Sequence, residues 1–117
     1  MKSKGKLAIH INNFGGATFV VTAPDVEGRI IGRSGNQDGF MPDIDLNDYG
    51  AREAGVSRRH AVLVNYGGDV HIIDLDSVNG TFINGERLMP NQPYRFDQGD
   101  QISIGNLVLQ IEPLAEK

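Results

Sequence analysis

The sequence predicts an all-β fold, a sandwich or a barrel, on three observations. Short apolar runs of four to seven residues recur along the chain, each bounded by Gly, Asn, Asp or Pro. No window sustains the i, i+3, i+4 spacing of an amphipathic helix. Turn-forming pairs return at short intervals, among them Gly15-Gly16, Gly67-Gly68, Asn79-Gly80, Asn84-Gly85 and Gly105-Asn106. Such punctuation between β-branched runs is the pattern of many short strands.

Taken in order, Lys6–Asn12 and Thr18–Thr22 flank Gly15-Gly16 as a hairpin, and Arg29–Arg33 follows the Pro24–Gly28 turn. Residues 34–55 hold glycines at 35, 39, 50 and 55 together with Pro42, so they read mostly as loop, with one brief strand at Ile44–Leu46. Ala61–Asn65 and Asp69–Asp74 form the next hairpin around Tyr66-Gly-Gly68. Thr81–Ile83 pairs with Glu86–Met89 across Asn84-Gly85, and Pro93–Phe96, Gln101–Ile104 and Leu107–Glu112 complete the sheets. The ends, Met1–Gly5 and Leu114–Lys117, are expected to fray.

With 117 residues the chain is expected to be a single domain over 1–117, burying roughly two-thirds of the surface its unfolded form exposes. It has no cysteine, which removes disulfides, thiolate metal sites and thiol catalysis and suits a reducing compartment. The basic start Met-Lys-Ser-Lys-Gly-Lys precedes an apolar run, Leu7–Ile11, too short for a signal sequence or a membrane span. A cytoplasmic protein without a membrane partner is therefore expected. A net charge of −4 argues against nucleic acid. Yet Arg29, Arg33, Arg52, Arg58 and Arg59, five of the eleven Lys and Arg, fall between residues 29 and 59, which is enough for local capture of an anion.

Catalytic material is thin. His10, His60 and His71 are widely separated and none has a nucleophile in view, so an enzyme is not expected. The run Asp74-Leu-Asp-Ser-Val-Asn-Gly departs from a calcium loop: Val78 takes the fifth position, the glycine comes one place late, and Gly85 stands where a bidentate Glu belongs. Asp43, Asp45 and Asp48 read as solvated strand-end acids, and Gly28, Gly32 and Gly35 match neither nucleotide-binding glycine loop. Neither a metal nor any cofactor is expected.

A set of donors remains: Gly32-Arg33 closing a strand, Ser57-Arg-Arg-His60 opening another, and Asn79-Gly80 in the loop after Asp74. In this order, with Asp43-Ile-Asp-Leu46, His60-Ala61 and Gly99-Asp-Gln-Ile-Ser-Ile-Gly105, the chain resembles the forkhead-associated (FHA) domain over about residues 28–112. The resemblance implies a β-sandwich of about eleven strands with phosphothreonine-peptide-binding loops at one end. A phosphothreonine carries close to two charges and three acceptor oxygens, so Arg with neutral donors is the chemistry its receptor needs.

By that resemblance, Arg33, Ser57 and Arg58 contact the phosphate or the peptide beside it. Asn79 bonds the peptide main chain, while Gly32, His60 and Gly80 shape the loops. Arg59 is expected on the opposite face, since strand neighbours alternate. Two departures stand out. Val78 sits where many relatives carry a threonine, which removes a hydroxyl from the phosphate side and predicts weaker binding. The long 34–56 stretch is a surface insertion in which Tyr49, Arg52 and Glu53 are candidates to read residues beyond the phosphothreonine. The partner implied is a phosphothreonine-containing protein, a Ser/Thr kinase or its substrate, bound by a monomer or by part of a larger chain. A phospho-independent interaction or self-assembly module on the same fold is the alternative.

Overall fold

The computed structural model describes residues 1–14, 17–35 and 37–114. Period-two alternation separates the layers: in β6 (Asp69–Asp74) Val70, Ile72 and Asp74 turn inward while their neighbours stay half-exposed. The other strands are β1 (Lys6–Ile11), β2 (Ala17–Thr22), β3 (Arg29–Gly32), β4 (Ile44–Asp45), β5 (Arg59–Tyr66), β7 (Thr81–Ile83), β8 (Glu86–Arg87), β9 (Tyr94–Arg95), β10 (Ile102–Ile104) and β11 (Leu107–Pro113). All eleven fall where the turn signals put them. The expected Gly15-Gly16 turn and residues 115–117 lie outside the described residues.

Some lengths differ from expectation. β5 starts two residues earlier than the apolar pattern suggests, because Arg59 and His60 continue its path. The strands expected over Glu86–Met89 and Pro93–Phe96 shrink to two residues each. Leu88 leaves the ladder to bury its side chain, its N–H still bonding Thr81 O at 2.9 Å. Within 34–56, a 3₁₀ turn forms at Asn47–Tyr49. Tyr49 packs against the core and meets Phe19 edge-on at 5.6 Å between ring centroids. Tyr49 remains half-exposed and lines a surface groove together with Glu53.

The strands make two sheets, a six-stranded one in the order β2-β1-β11-β10-β7-β8 and a five-stranded one in the order β4-β3-β5-β6-β9. Pairing is antiparallel except between β3 and β4. Leu7, Ile9, Ile11, Ile102, Ile104 and Leu109 from one sheet meet Ile31, Ile44, Leu63 and Ile72 from the other, all fully buried. Burying each such side chain stabilises the fold by about 1.5–3 kcal/mol. This sandwich core fixes the strand ends, and with them the loops that follow β3, β4, β6 and β10.

Candidate functional site

Main-chain bonds tie those four connections together at one end. Arg33 N donates to Arg58 O at 3.1 Å, Gly105 N to Gly80 O at 3.2 Å, and Asn106 N to Ala54 O at 2.8 Å. Two glycines make the approach possible. A Cβ on Gly32 would lie 1.8 Å from Arg58 O, and one on Gly105 would lie 2.5 Å from Ala54 O.

The β3–β5 ladder slips between Ile31 and Gly32: Ile31 faces Ala61, but Gly32 faces Arg59. His60 is the residue passed over, and such a bulge re-aims a side chain. Its ring is fully buried between two loops. Nδ1 accepts the Ser57 N–H at 3.0 Å, so the proton sits on Nε2, which donates to Gly80 O at 2.8 Å. Desolvation lowers the His60 pKa most, against opposing pulls from the Gly80 carbonyl and Asp74, and the net direction is down. A neutral imidazole with both nitrogens engaged is a brace between the 57 and 80 loops.

Asp74 does the corresponding work beneath the β6–β7 loop. Being the inward residue after Val70 and Ile72, it is buried, and one oxygen accepts from Ser77 Oγ at 2.5 Å and Thr81 Oγ1 at 2.7 Å. The other accepts the Ser77 N–H at 3.1 Å, while Ser77 Oγ in turn accepts the Gly80 N–H at 3.0 Å. Asp74, Ser77 and Thr81 are supports that the motif reading did not single out. The available signal was strand alternation, which turns a carboxylate inward and obliges nearby donors to satisfy it.

The two Asn-Gly pairs differ. Asn84 and Gly85 have φ of 50° and 85° and form a tight hairpin turn. In the first pair only Gly80 is left-handed, at 88°, and the other positive φ of that loop belongs to Asp76, at 59°. Asn79 instead sends its side chain across the site, Nδ2 donating to Gly55 O at 2.9 Å. The Val78 side chain is 82% exposed, and its N–H donates to Ser57 Oγ at 3.3 Å, leaving the hydroxyl proton of Ser57 for another acceptor.

Arg33 is aimed by one bond, Nε to Val56 O at 2.8 Å. It lines a cleft of about 230 Å³ with Ser34, Gly35, Asn47, Arg52 and Glu53. From the loop before β5, Arg58 forms an ion pair with Asp38, whose carboxyl is held below the usual range first by the Phe40 N–H and then by Arg58. Arg59 corrects the expectation of opposite faces. Its guanidinium lies 3.9 Å from the centroid of Phe40, the ring that Arg58 approaches at 5.7 Å. Arg58 precedes β5, so alternation does not govern the pair, and both long side chains converge on one ring.

The acids of this region are used internally. Asp43 accepts the Ile30 N–H at 2.8 Å, and Asp45 accepts from Ser34 Oγ, Ser34 N and Asn47 N. Burial is the largest single effect on Asp45 and raises its pKa, but the three bonds together outweigh it and the net shift is downward. A larger groove, about 500 Å³ between Met1, Lys2, Lys4 and Leu114, lies at the other end of β5, where Ser3 N meets Gly68 O. None of the site side chains reaches it.

Arg33, Ser57, Arg58 and Asn79 thus share one end of the sandwich, with Gly32, His60 and Gly80 behind them. The family model of the FHA domain matches residues 29–105. The chain belongs to the FHA domain family. FraH of a Nostoc species is 42% identical over 69 residues, covering 58% of this chain and 23% of FraH. The oxoglutarate dehydrogenase inhibitor of Corynebacterium diphtheriae is 30% identical over 105 residues, covering 90% of this chain and 62% of the inhibitor. This FHA chain therefore spans less than two-thirds of the length of either. A solved structure from a study of phosphothreonine-dependent FHA domain interactions superimposes with a TM-score of 0.68 at 26% identity, covering 97% of this chain and all of that one. Among the described residues, no helix of this FHA domain is long and apolar enough to cross a membrane.

Proposed function

We propose that this FHA domain is a non-catalytic adaptor that binds a phosphothreonine segment of a partner protein, a Ser/Thr kinase or one of its substrates. The observation that carries the reading is that the loops bearing Arg33, Ser57, Arg58 and Asn79 are tied to one another at one end of the sandwich, Arg33 N bonding Arg58 O, Val78 N bonding Ser57 Oγ and Asn79 Nδ2 bonding Gly55 O. Two guanidinium groups and a hydroxyl offer the charge and directional donors that a phosphate dianion requires. Ser57 Oγ accepts the Val78 N–H, so its own proton remains to be donated to a ligand oxygen. Asn79 spans to Gly55 and presents its amide at the rim, where a peptide main chain would take it up.

Support for a non-catalytic role comes from His60. Both ring nitrogens are committed to the scaffold, so it has no lone pair or proton to offer a reacting group.

Titration of a phosphothreonine peptide library against the wild type and Arg33→Ala tests the reading. Loss of a charge-assisted contact should weaken binding roughly 10- to 100-fold. Equal binding by the two proteins would remove Arg33 from the site. A phospho-independent interface is the second reading, favoured by the exposed Val78 side chain at the centre of the loop. A partner retained after phosphatase treatment would decide for it.

A further inference from the structure

Arg58 carries an anion from its own chain. Its Nη2 pairs with Asp38 Oδ2, twenty residues earlier in the chain. The other oxygen of Asp38 accepts the Phe40 N–H at 3.1 Å, so the carboxylate is oriented by its own loop. The Phe40 ring then lies against both guanidinium groups, at 5.7 Å from Arg58 and 3.9 Å from Arg59. Among the described residues, no main-chain to main-chain hydrogen bond joins 37–41 to either sheet. Gly39, between the two contacting residues, has φ of 75° and open space around its Cβ position. The pair itself is open to solvent, with side-chain exposures of 31% for Arg58 and 51% for Asp38. Contacts of this kind are weak and exchangeable.

We infer that the Asp38–Phe40 segment is a built-in competitor for the phosphate site, in which Asp38 occupies Arg58 and sets how much negative charge a ligand must bring to displace it. The inference rests on the phosphopeptide reading of Arg58. A tethered group acts at an effective concentration on the order of millimolar. Asp38 matches an acidic side chain of a ligand in charge and is already in place, so a Glu or Asp in the position of the phosphothreonine gains nothing by exchange. A phosphate with close to two charges and three acceptor oxygens does gain. The segment therefore acts as a charge filter, and Arg58 is reserved for phosphorylated ligands.

The test uses a phosphothreonine peptide selected from the library and the same peptide with Glu at that position, titrated calorimetrically against the wild type, Asp38→Asn, Arg58→Ala and the double variant. Freeing an exposed arginine from its carboxylate should tighten phosphopeptide binding about twofold to fivefold. The Glu peptide should gain at least as much, and neither gain should survive in the Arg58→Ala background. Unchanged or weaker binding by Asp38→Asn would overturn the inference, since Asp38 would then merely hold Arg58 in place. A gain that persists without Arg58 would also overturn it, as a general charge effect. If the phosphopeptide binds the wild type, is lost in Arg33→Ala and is indifferent to Asp38→Asn, the competitor alone falls. If no phosphopeptide binds the wild type or Asp38→Asn, the reading of the site falls with it.

Discussion

The β6–β7 loop and the 37–41 segment both touch the Ser57-Arg58 stretch and are held by opposite kinds of contact. Beneath the first, Asp74 is 2% exposed and takes three hydrogen bonds, while His60, fully buried, spans from Ser57 N to Gly80 O. The second is fastened by a solvent-exposed ion pair and by arginines on a half-exposed ring. Removing one partner from a buried network leaves polar groups with neither water nor protein to satisfy them, whereas an exposed pair exchanges readily with solvent or ligand. One side of the site is a template, and the other is replaceable.

The strongest way to break this contrast is Asp74→Ala. It strands the Ser77 and Thr81 hydroxyls and the Ser77 N–H, and should destabilise the fold by about 3 kcal/mol, read as a lower denaturant midpoint. A midpoint matching the wild type would show that the template is not held from below. Acid is the next probe. Because His60 has a folded pKa below its unfolded value of about 6.5, the unfolded state takes up more protons below that value. Its contribution is complete above about pH 6.5 and declines as pH falls toward the folded pKa. Chemical denaturation between pH 7 and 5 should show this slope in the wild type and its loss in His60→Gln.

Val78→Thr sharpens the comparison at the template's outer surface. A hydroxyl placed beside Ser57 should tighten phosphopeptide binding a few-fold, by about 1 kcal/mol or less for an exposed donor; no gain would mean that the loop presents another face. The smallest effect is expected from Phe40→Ala, which should change stability by under about 1 kcal/mol. A larger loss in thermal or denaturant unfolding would make the segment part of the scaffold.

Alternation and turn chemistry were enough to place all eleven strands, because each depends on residues close in the chain. Asn84-Gly85 and Gly67-Gly68 carry the left-handed dihedrals that tight hairpins require. The donor set came from the order of its motifs and the resemblance to the FHA domain; the fold sets Arg33 after β3, Ser57 and Arg58 before β5, and Asn79 before β7.

What local sequence does not encode is the partner that each side chain finds. Alternation separates Arg58 from Arg59, but Arg58 lies before β5 begins and both reach Phe40, in the preceding loop. Nothing near Tyr49 in the chain announces Phe19, which the six-stranded sheet sets edge-on against it. Asp38 gave no signal in a glycine-rich stretch, and only the folded chain sets it on Arg58. Short-range geometry follows from residue type and spacing, while charge pairing and burial depend on which distant segments the two sheets bring together.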